Sequence, residues 1–398
     1  MRISFFFIML MIFSVSCQNS AQDELFIPKN IVIAHRGTTY WAPEETEAAY
    51  RWARDIGAHY LEVDIQRSKD GVLMALHDDQ LTRTTNIAEV FPERSTLASS
   101  AFTYEELLNL DAGTWFNDKF QDRAKEEFGK QAALYTSTSK ALYFDSIGHV
   151  FVVNDEAAVY YGGHQQILSL EDVVRIAEGY RIAKDEHGNR LFEKYKLDGQ
   201  WKYRFFYVKD EDASRNCPGV YIETKEPHLF PGVEGDLYKE LSRLGWNQLT
   251  KPFYSTKTEK DGFVNIAHSS SRVILQTFSP ESLKELNRLF KGKVPITFLL
   301  WLGDPNMPSD DSLVYHQNLK FAKENGAHII GPSIAGPPNN YDDLLSEEQF
   351  IWIREMGFLI HPYSFDTHDQ TLKYGPKSDG MFTNRADLTL EYYQNKSY

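Results

Sequence analysis

The chain has 398 residues, with 42 Lys and Arg against 56 Asp and Glu and a formal net charge of −14. Charges of both signs are interspersed rather than blocked, which excludes the basic stripe that nucleic-acid binding normally requires. The length exceeds the roughly 250 residues of one closed α/β barrel, so there is room for insertions without a second independent domain.

The first element is a leader. Arg2 precedes the apolar run FFFIMLMIF, too short to span a bilayer as a mature helix and of the length of a signal h-region. The following SVSC is similar to a bacterial lipoprotein cleavage site. Residues 1–17 therefore read as a signal peptide, Cys17 as a lipidated mature N-terminus and 18–30 as a linker; ordinary signal cleavage nearby is the alternative. The expectation is an exported protein, periplasmic or an outer-membrane lipoprotein, touching the membrane through this anchor alone. With Cys17 in the leader or anchor, the only other cysteine has no second thiol for an intrachain disulfide.

Next, IVIAHRG is a short apolar run ending in His35 and Arg36 and stopped by Gly37, as a buried parallel strand ends at a loop. In YLEVDIQ, alternation sends Leu61, Val63 and Ile65 to one face and Glu62, Asp64 and Gln66 to the other. Two carboxylates on one face of a core strand need a partner, because unpaired buried charge costs several kcal/mol or more. A divalent cation is the natural one; a half-exposed antiparallel strand with its acids in water is the bland alternative. DGVLMALH then gives a turn and another apolar run ending in His77 and an Asp pair.

Strand-like runs continue near 219–225, 272–278, 294–300, 328–331, 357–362 and 379–383. With 31–36 and 60–66 they make eight, and helical patterns such as ETEAAYRWARDIG, SLEDVVRIAEGYR and PESLKELNRLFKG lie between them. This alternation predicts an α/β fold of the (β/α)8, or TIM-barrel, class. In GVYIETKEP, Glu223 and Lys225 share one parity and can both face the barrel mouth. Two segments, about 88–165 and 184–216, read as insertions on the catalytic face. The first is rich in aromatics, among them Phe120, Tyr135, Tyr143, Phe144, Tyr160 and Tyr161, and a lid is the functional expectation.

The strings HRG, PE-x-T, E-x-D and H, followed by LTRTTN, resemble the glycerophosphodiester phosphodiesterase family. The likeness extends through LDAGTWF, ILSLEDV, YIETKEP, VILQTFSPESL, GAHIIGP, GFLIHPYSF and DGMFTNRAD. The resemblance implies a (β/α)8 barrel spanning 31–398 that cleaves glycerophosphodiesters to sn-glycerol 3-phosphate and an alcohol, with a glycerol hydroxyl as internal nucleophile and a cyclic phosphate on the way.

Residue chemistry fits that expectation. Glu62, Asp64 and Glu223 form an oxygen-only set suited to one hard cation, Ca2+ or Mg2+, rather than zinc. His35 and His77 are the acid and base pair, because imidazole titrates near working pH. Arg36 and Lys225 are the candidate phosphate ligands. Glu44 is expected beside the metal or holding Arg36, and Glu45 stands where the family often carries Asn or His. Gln276, Phe278 and Trp301 are candidates for the glycerol or alcohol pocket, and no catalytic role attaches to NRAD at 384–387. The expected partner is a small glycerophosphodiester, not nucleic acid. Alternatives are a related barrel phospholipase of the phosphatidylinositol-specific phospholipase C or sphingomyelinase D type, and a non-catalytic binding lipoprotein.

Overall fold

The computed structural model describes residues 25–116, 164–211, 213, 216–250 and 266–396, and the backbone of 141–144 and 150–153. Cys17 and the aromatic residues Phe120, Tyr135, Tyr160 and Tyr161 lie outside the described residues, as do the side chains of Tyr143 and Phe144.

Eight parallel strands form the barrel: β1 (Ile31–Ala34), β2 (Tyr60–Arg67), β3 (Gly219–Thr224), β4 (Val273–Thr277), β5 (Ile296–Leu300), β6 (Ile329–Pro332), β7 (Leu359–Ile360) and β8 (Gly380–Thr383). Each lies within two residues of its expected bounds, because each is an apolar run buried on both faces. They are hydrogen-bonded in the order β7-β6-β5-β4-β3-β2-β1-β8. The ring is drawn together where Asp379 N donates to Ile360 O (2.9 Å) and Phe382 N to Pro362 O (3.2 Å).

One helix follows each strand: α1 (Glu47–Ile56), α2 (Leu170–Ala177), α3 (Val233–Leu244), α4 (Pro280–Phe290), α5 (Ser312–Glu324), α6 (Glu347–Glu355), α7 (His368–Tyr374) and α8 (Ala386–Lys396). Their starts are written in capping residues. Thr46, Ser169, Ser279, Asp311, Ser346 and Thr367 each accept a backbone N–H of the first turn, a contribution of about 1 kcal/mol apiece.

Strand parity divides the core in two. Leu61, Val63, Ile65, Val220, Ile222, Leu275 and Phe298 face the helices. Ile31, Ile33, Tyr60, Tyr221, Ile274, Leu299, Ile329 and Phe382 fill the barrel interior. Tyr60 precedes Glu62 by two residues, and Tyr221 precedes Glu223 by two, so an apolar plug closes the barrel beneath the acids. Fully burying each large side chain is worth about 1.5–3 kcal/mol.

The first insertion lies in the connection from β2 to α2, which opens ahead of it with a short strand, Leu73–Ala75, antiparallel to the end of β2. Its described part builds a satellite core from Leu81, Ile87, Phe102, Tyr104 and Leu107. The second lies in the helix-to-strand connection between α2 and β3 and returns along the side of the barrel to the residues that follow β2. A hairpin of Phe192–Leu197 and Gln200–Phe205 then packs back on the satellite core. It is pinned by Arg190 Nη2 to Asp172 Oδ1 (2.7 Å) and by the Tyr203 hydroxyl donating to Asp70 Oδ2 (2.5 Å).

Two histidines close the lower rim. His59 Nδ1 accepts from Val32 N (2.9 Å) and His328 Nδ1 from Ile296 N (3.3 Å), each holding the start of a neighbouring strand. An accepting Nδ1 requires a ring without a proton there. Burial accordingly lowers His59 from 6.5 to about 4. A depressed imidazole stabilises the fold fully above pH 6.5, and that contribution is lost as pH falls toward 4, on the order of 3 kcal/mol for His59. Thermal melts should therefore show Tm dropping between pH 7 and 5, and His59→Gln, whose amide oxygen can accept from Val32, should flatten the drop. Parallel pH profiles for both proteins would refute this.

Candidate active site

The acids, the imidazoles and two cations converge at the C-terminal mouth of the barrel, the end where such folds assemble their sites. A cavity of about 600 Å3 is lined by His35, Arg36, Glu62, Asp64, His77, Glu223, Lys225, Gln276, Phe278 and Trp301. Glu44 is not among its walls, and neither is any described residue of the two insertions.

β1 ends in a tight turn at His35–Gly37. Gly37 has φ +81°, and a Cβ there would stand 2.8 Å from the Ala49 Cβ, so only glycine lets α1 pack against the turn. Arg36 is itself left-handed (φ 51°). Its backbone N donates to Glu62 Oε2 (2.7 Å), its Nε lies 3.3 Å from Asp64 Oδ2 and its Nη1 3.3 Å from Glu44 Oε1. Glu44 thus holds Arg36, as one of the two expected roles required.

Each imidazole has an orienting partner. Asn384 Nδ2 donates to Asp366 Oδ1 (2.8 Å), which turns the amide so that its Oδ1 faces His35 Nδ1 at 2.7 Å. His35 Nδ1 therefore carries the proton and Nε2 is left as acceptor. His77 Nδ1 meets Asp78 Oδ1 at 2.5 Å. Arg83 binds Asp78 and forks onto both oxygens of Glu44 (2.8 and 2.6 Å), so one chain of ion pairs links His77 to Arg36. Burial, reinforced by Arg36, lowers His35 to about 3. The same two causes lower His77, where Asp64 and Asp78 oppose them.

The acids repel one another. Burial, then Asp64, pushes Glu62 and Glu45 well above the usual carboxylate range. Burial raises Glu223 to about 7 although Lys225 opposes it. Burial also works against the Asp64 carboxylate, but His77, Lys225 and Arg36 outweigh it. The grouping whose ligand oxygens all lie within 4.8 Å of one another is Glu45, Glu62 and Asp64. Glu223 stands in register with Asp64 on the adjacent strand, paired to Lys225 Nζ at 3.2 Å, and lies outside that grouping. Glu45 is a residue whose part the sequence left open. Its Oε1 accepts from Asp64 N at 3.1 Å, where β1 has already turned away, and its Oε2 accepts from the Tyr50 hydroxyl.

These residues fit a hard divalent cation. The donors are all oxygens, they are buried, and Asp64 Oδ2 and Gln276 Oε1 have no hydrogen-bond partner although neither is accessible. Gln276 Nε2 donates to Glu62 Oε1 at 2.8 Å, placing that free carbonyl beside the acids.

The facing wall is aromatic. Trp301 lies parallel to Tyr363 at 6.5 Å between centroids and edge-on to Tyr341 at 5.0 Å, and Lys225 Nζ sits 5.4 Å from the Phe278 centroid. Asn384, Tyr341 and Tyr363 were not singled out in the sequence. Tyr363 lies within the GFLIHPYSF block without a role assigned to it, no motif marks Tyr341, and Asn384 lies in the NRAD stretch to which no catalytic role was attached.

A nearly closed parallel barrel with two imidazoles, clustered carboxylates and two cationic side chains in one cavity carries the groups that hydrolysis of a phosphoric diester requires. The sequence model of the Glycerophosphoryl diester phosphodiesterase family matches residues 35–179. The chain is 27% identical over 381 residues to a glycerophosphodiester phosphodiesterase of Bacillus subtilis, covering 93% of this chain and 88% of that protein. It is 46% identical over 92 residues to a glycerophosphoinositol inositolphosphodiesterase of Mus musculus, a match spanning 23% of this chain and only 17% of the relative. Among solved structures, an Oleispira antarctica phosphodiesterase in complex with the product sn-glycerol-3-phosphate superposes with TM-score 0.52 at 15% identity, over 92% of this chain and 96% of that one. The chain is thus similar to glycerophosphodiester phosphodiesterases, over 93% of its length in one case and through the family model at residues 35–179.

Proposed function

We propose that the protein is an exported, metal-dependent enzyme that hydrolyses glycerophosphodiesters to sn-glycerol 3-phosphate and an alcohol. The observation that carries this reading is the convergence of two oriented imidazoles and at least three buried carboxylates on one cavity. Glu62 and Asp64 would hold a hard cation, Ca2+ or Mg2+, with Glu45 completing the close oxygen set and Glu223 on the adjacent strand, and such a cation would neutralise charge developing on the phosphoryl group. Arg36 and Lys225 grip the phosphate oxygens.

The partners of the two rings separate their roles. His35, on a neutral amide, presents a bare Nε2 and removes the proton from the glycerol hydroxyl that attacks phosphorus; intramolecular attack avoids capturing a separate water. His77, beside the Asp78 carboxylate, is the ring more readily protonated, and it delivers a proton to the departing alcohol. Opening of the cyclic phosphate by water reverses both transfers and yields glycerol 3-phosphate. Phe278 and Trp301, with Gln276 at their edge, bound the space left for the organic groups.

Purified protein should release glycerol 3-phosphate and choline in equal amounts from glycerophosphocholine. Phosphocholine and glycerol as products would overturn the assignment, and preference for intact phospholipid would favour the phospholipase reading. Export with lipidation at Cys17 predicts fatty-acid labelling that Cys17→Ser abolishes; labelling unaffected by that change would remove the anchor.

A further inference from the structure

Half of the large hydrophobic side chains exposed among the described residues fall between Tyr180 and Val208. Three of them crowd the distal end of the 192–205 hairpin: Tyr195 is 40% exposed, Trp201 46% and Leu197 54%. The same segment reverses the charge of the molecule. Residues 180–209 carry eight Lys and Arg against four Asp and Glu, a net +4 within a chain of −14. Apolar side chains flanking an Asp198–Gly199 turn and ringed by lysines on an acidic protein are the pattern of a surface that meets anionic lipid.

The geometry is specific. Lys194 Nζ and Lys196 Nζ each lie 4.9 Å from the Trp201 ring centroid, so the ring and the ammoniums reach the same level. Arg204 stands 5.7 Å from the Tyr195 ring on the other face. Lys196 and Lys202 have no carboxylate at ion-pair distance among the described residues. Their charge is available to phosphates outside the protein, and their stems cover the apolar tip. The base of the hairpin is rigid: Phe192, Tyr203 and Phe205 pack on the satellite core, and the buried Arg190–Asp172 pair fastens its approach. Docking therefore orders little that is not already fixed.

We propose that the 192–205 hairpin docks on an anionic bilayer. Leu197 and Trp201 enter the boundary between headgroups and acyl chains while Lys196 and Lys202 engage lipid phosphates; Lys194 is already paired to Glu105. This contact is additional to any N-terminal anchor and independent of the catalytic reading, since no hairpin residue lines the catalytic cavity.

The test is co-sedimentation of the purified full-length chain with phosphatidylcholine vesicles, with and without about 30 mol% phosphatidylglycerol. The wild type is expected to partition more strongly onto the anionic vesicles and to be released by salt. Leu197→Ser combined with Trp201→Ala should lower that partition roughly tenfold while leaving the melting temperature and turnover of soluble glycerophosphocholine unchanged. The leader contributes equally to both chains, so their difference reads the hairpin alone. Equal partition of variant and wild type overturns the proposal, as does indifference to phosphatidylglycerol. Loss of binding to a soluble protein or polyanion with no loss on vesicles overturns it too.

Discussion

Alanine in place of His77 should lower kcat on glycerophosphocholine by about 10^2 to 10^4, the range expected for removing a general acid or base, with little change in KM. His35→Ala should do the same. The two variants are told apart by the leaving group. The p-nitrophenolate of a glycerophosphodiester of p-nitrophenol departs without a proton, so His77→Ala should recover most of the rate of the first step, read as p-nitrophenolate release in a single turnover, while ring opening stays slow. His35→Ala should not, because attack on phosphorus still needs a base. The expectation rests on the unlike partners of the rings, a neutral Asn384 amide for His35 at 2.7 Å and the Asp78 carboxylate for His77 at 2.5 Å. Rescue of His35→Ala rather than His77→Ala would exchange the two roles, and wild-type turnover in either variant would remove that ring from the chemistry.

Glu62→Gln should separate the cation from the fold. Glu62 is the carboxylate most crowded by its neighbours: burial raises it, and Asp64, Glu45 and Glu223 each add to the rise. The amide can keep both hydrogen bonds, accepting from Arg36 N and donating to Gln276, whose Oε1 is unpartnered. In chelator the variant should therefore melt no lower than the wild type, and higher if the acids are ionised. Added calcium or magnesium should raise the wild-type melting temperature, by an amount equivalent to about 2.7 kcal/mol at a hundredfold excess over Kd. The variant should show almost none of this rise, and its activity should fall at least a hundredfold. A calorimetric titration giving the same affinity for both proteins would exclude Glu62 as a ligand.

Much of this was legible before any coordinates. Most strands buried on both faces read as apolar runs and could be placed so, while the alternation in YLEVDIQ placed β2 and assigned Glu62 and Asp64 to one face because side-chain parity is local. What could not be read depended on closure. His35 and Asn384 are 349 positions apart and meet only because β1 pairs with β8; nothing near NRAD signals that an amide there orients a distant imidazole. Glu45 could be seen as a departure from the family pattern, but its use could not, since it depends on β1 ending before Asp64 and leaving that backbone N–H to be taken by a side chain.

The seam between β1 and β8 has a consequence for timing. A growing polypeptide that has passed residue 225 already owns every acid, cation and imidazole of the reaction, yet nothing fixes the His35 ring until Asn384 arrives beside it. Premature termination anywhere before that point would yield a chain that carries these groups but leaves the His35 ring without its orienting amide. Competence is thus reserved for a polypeptide whose first and last strands have met.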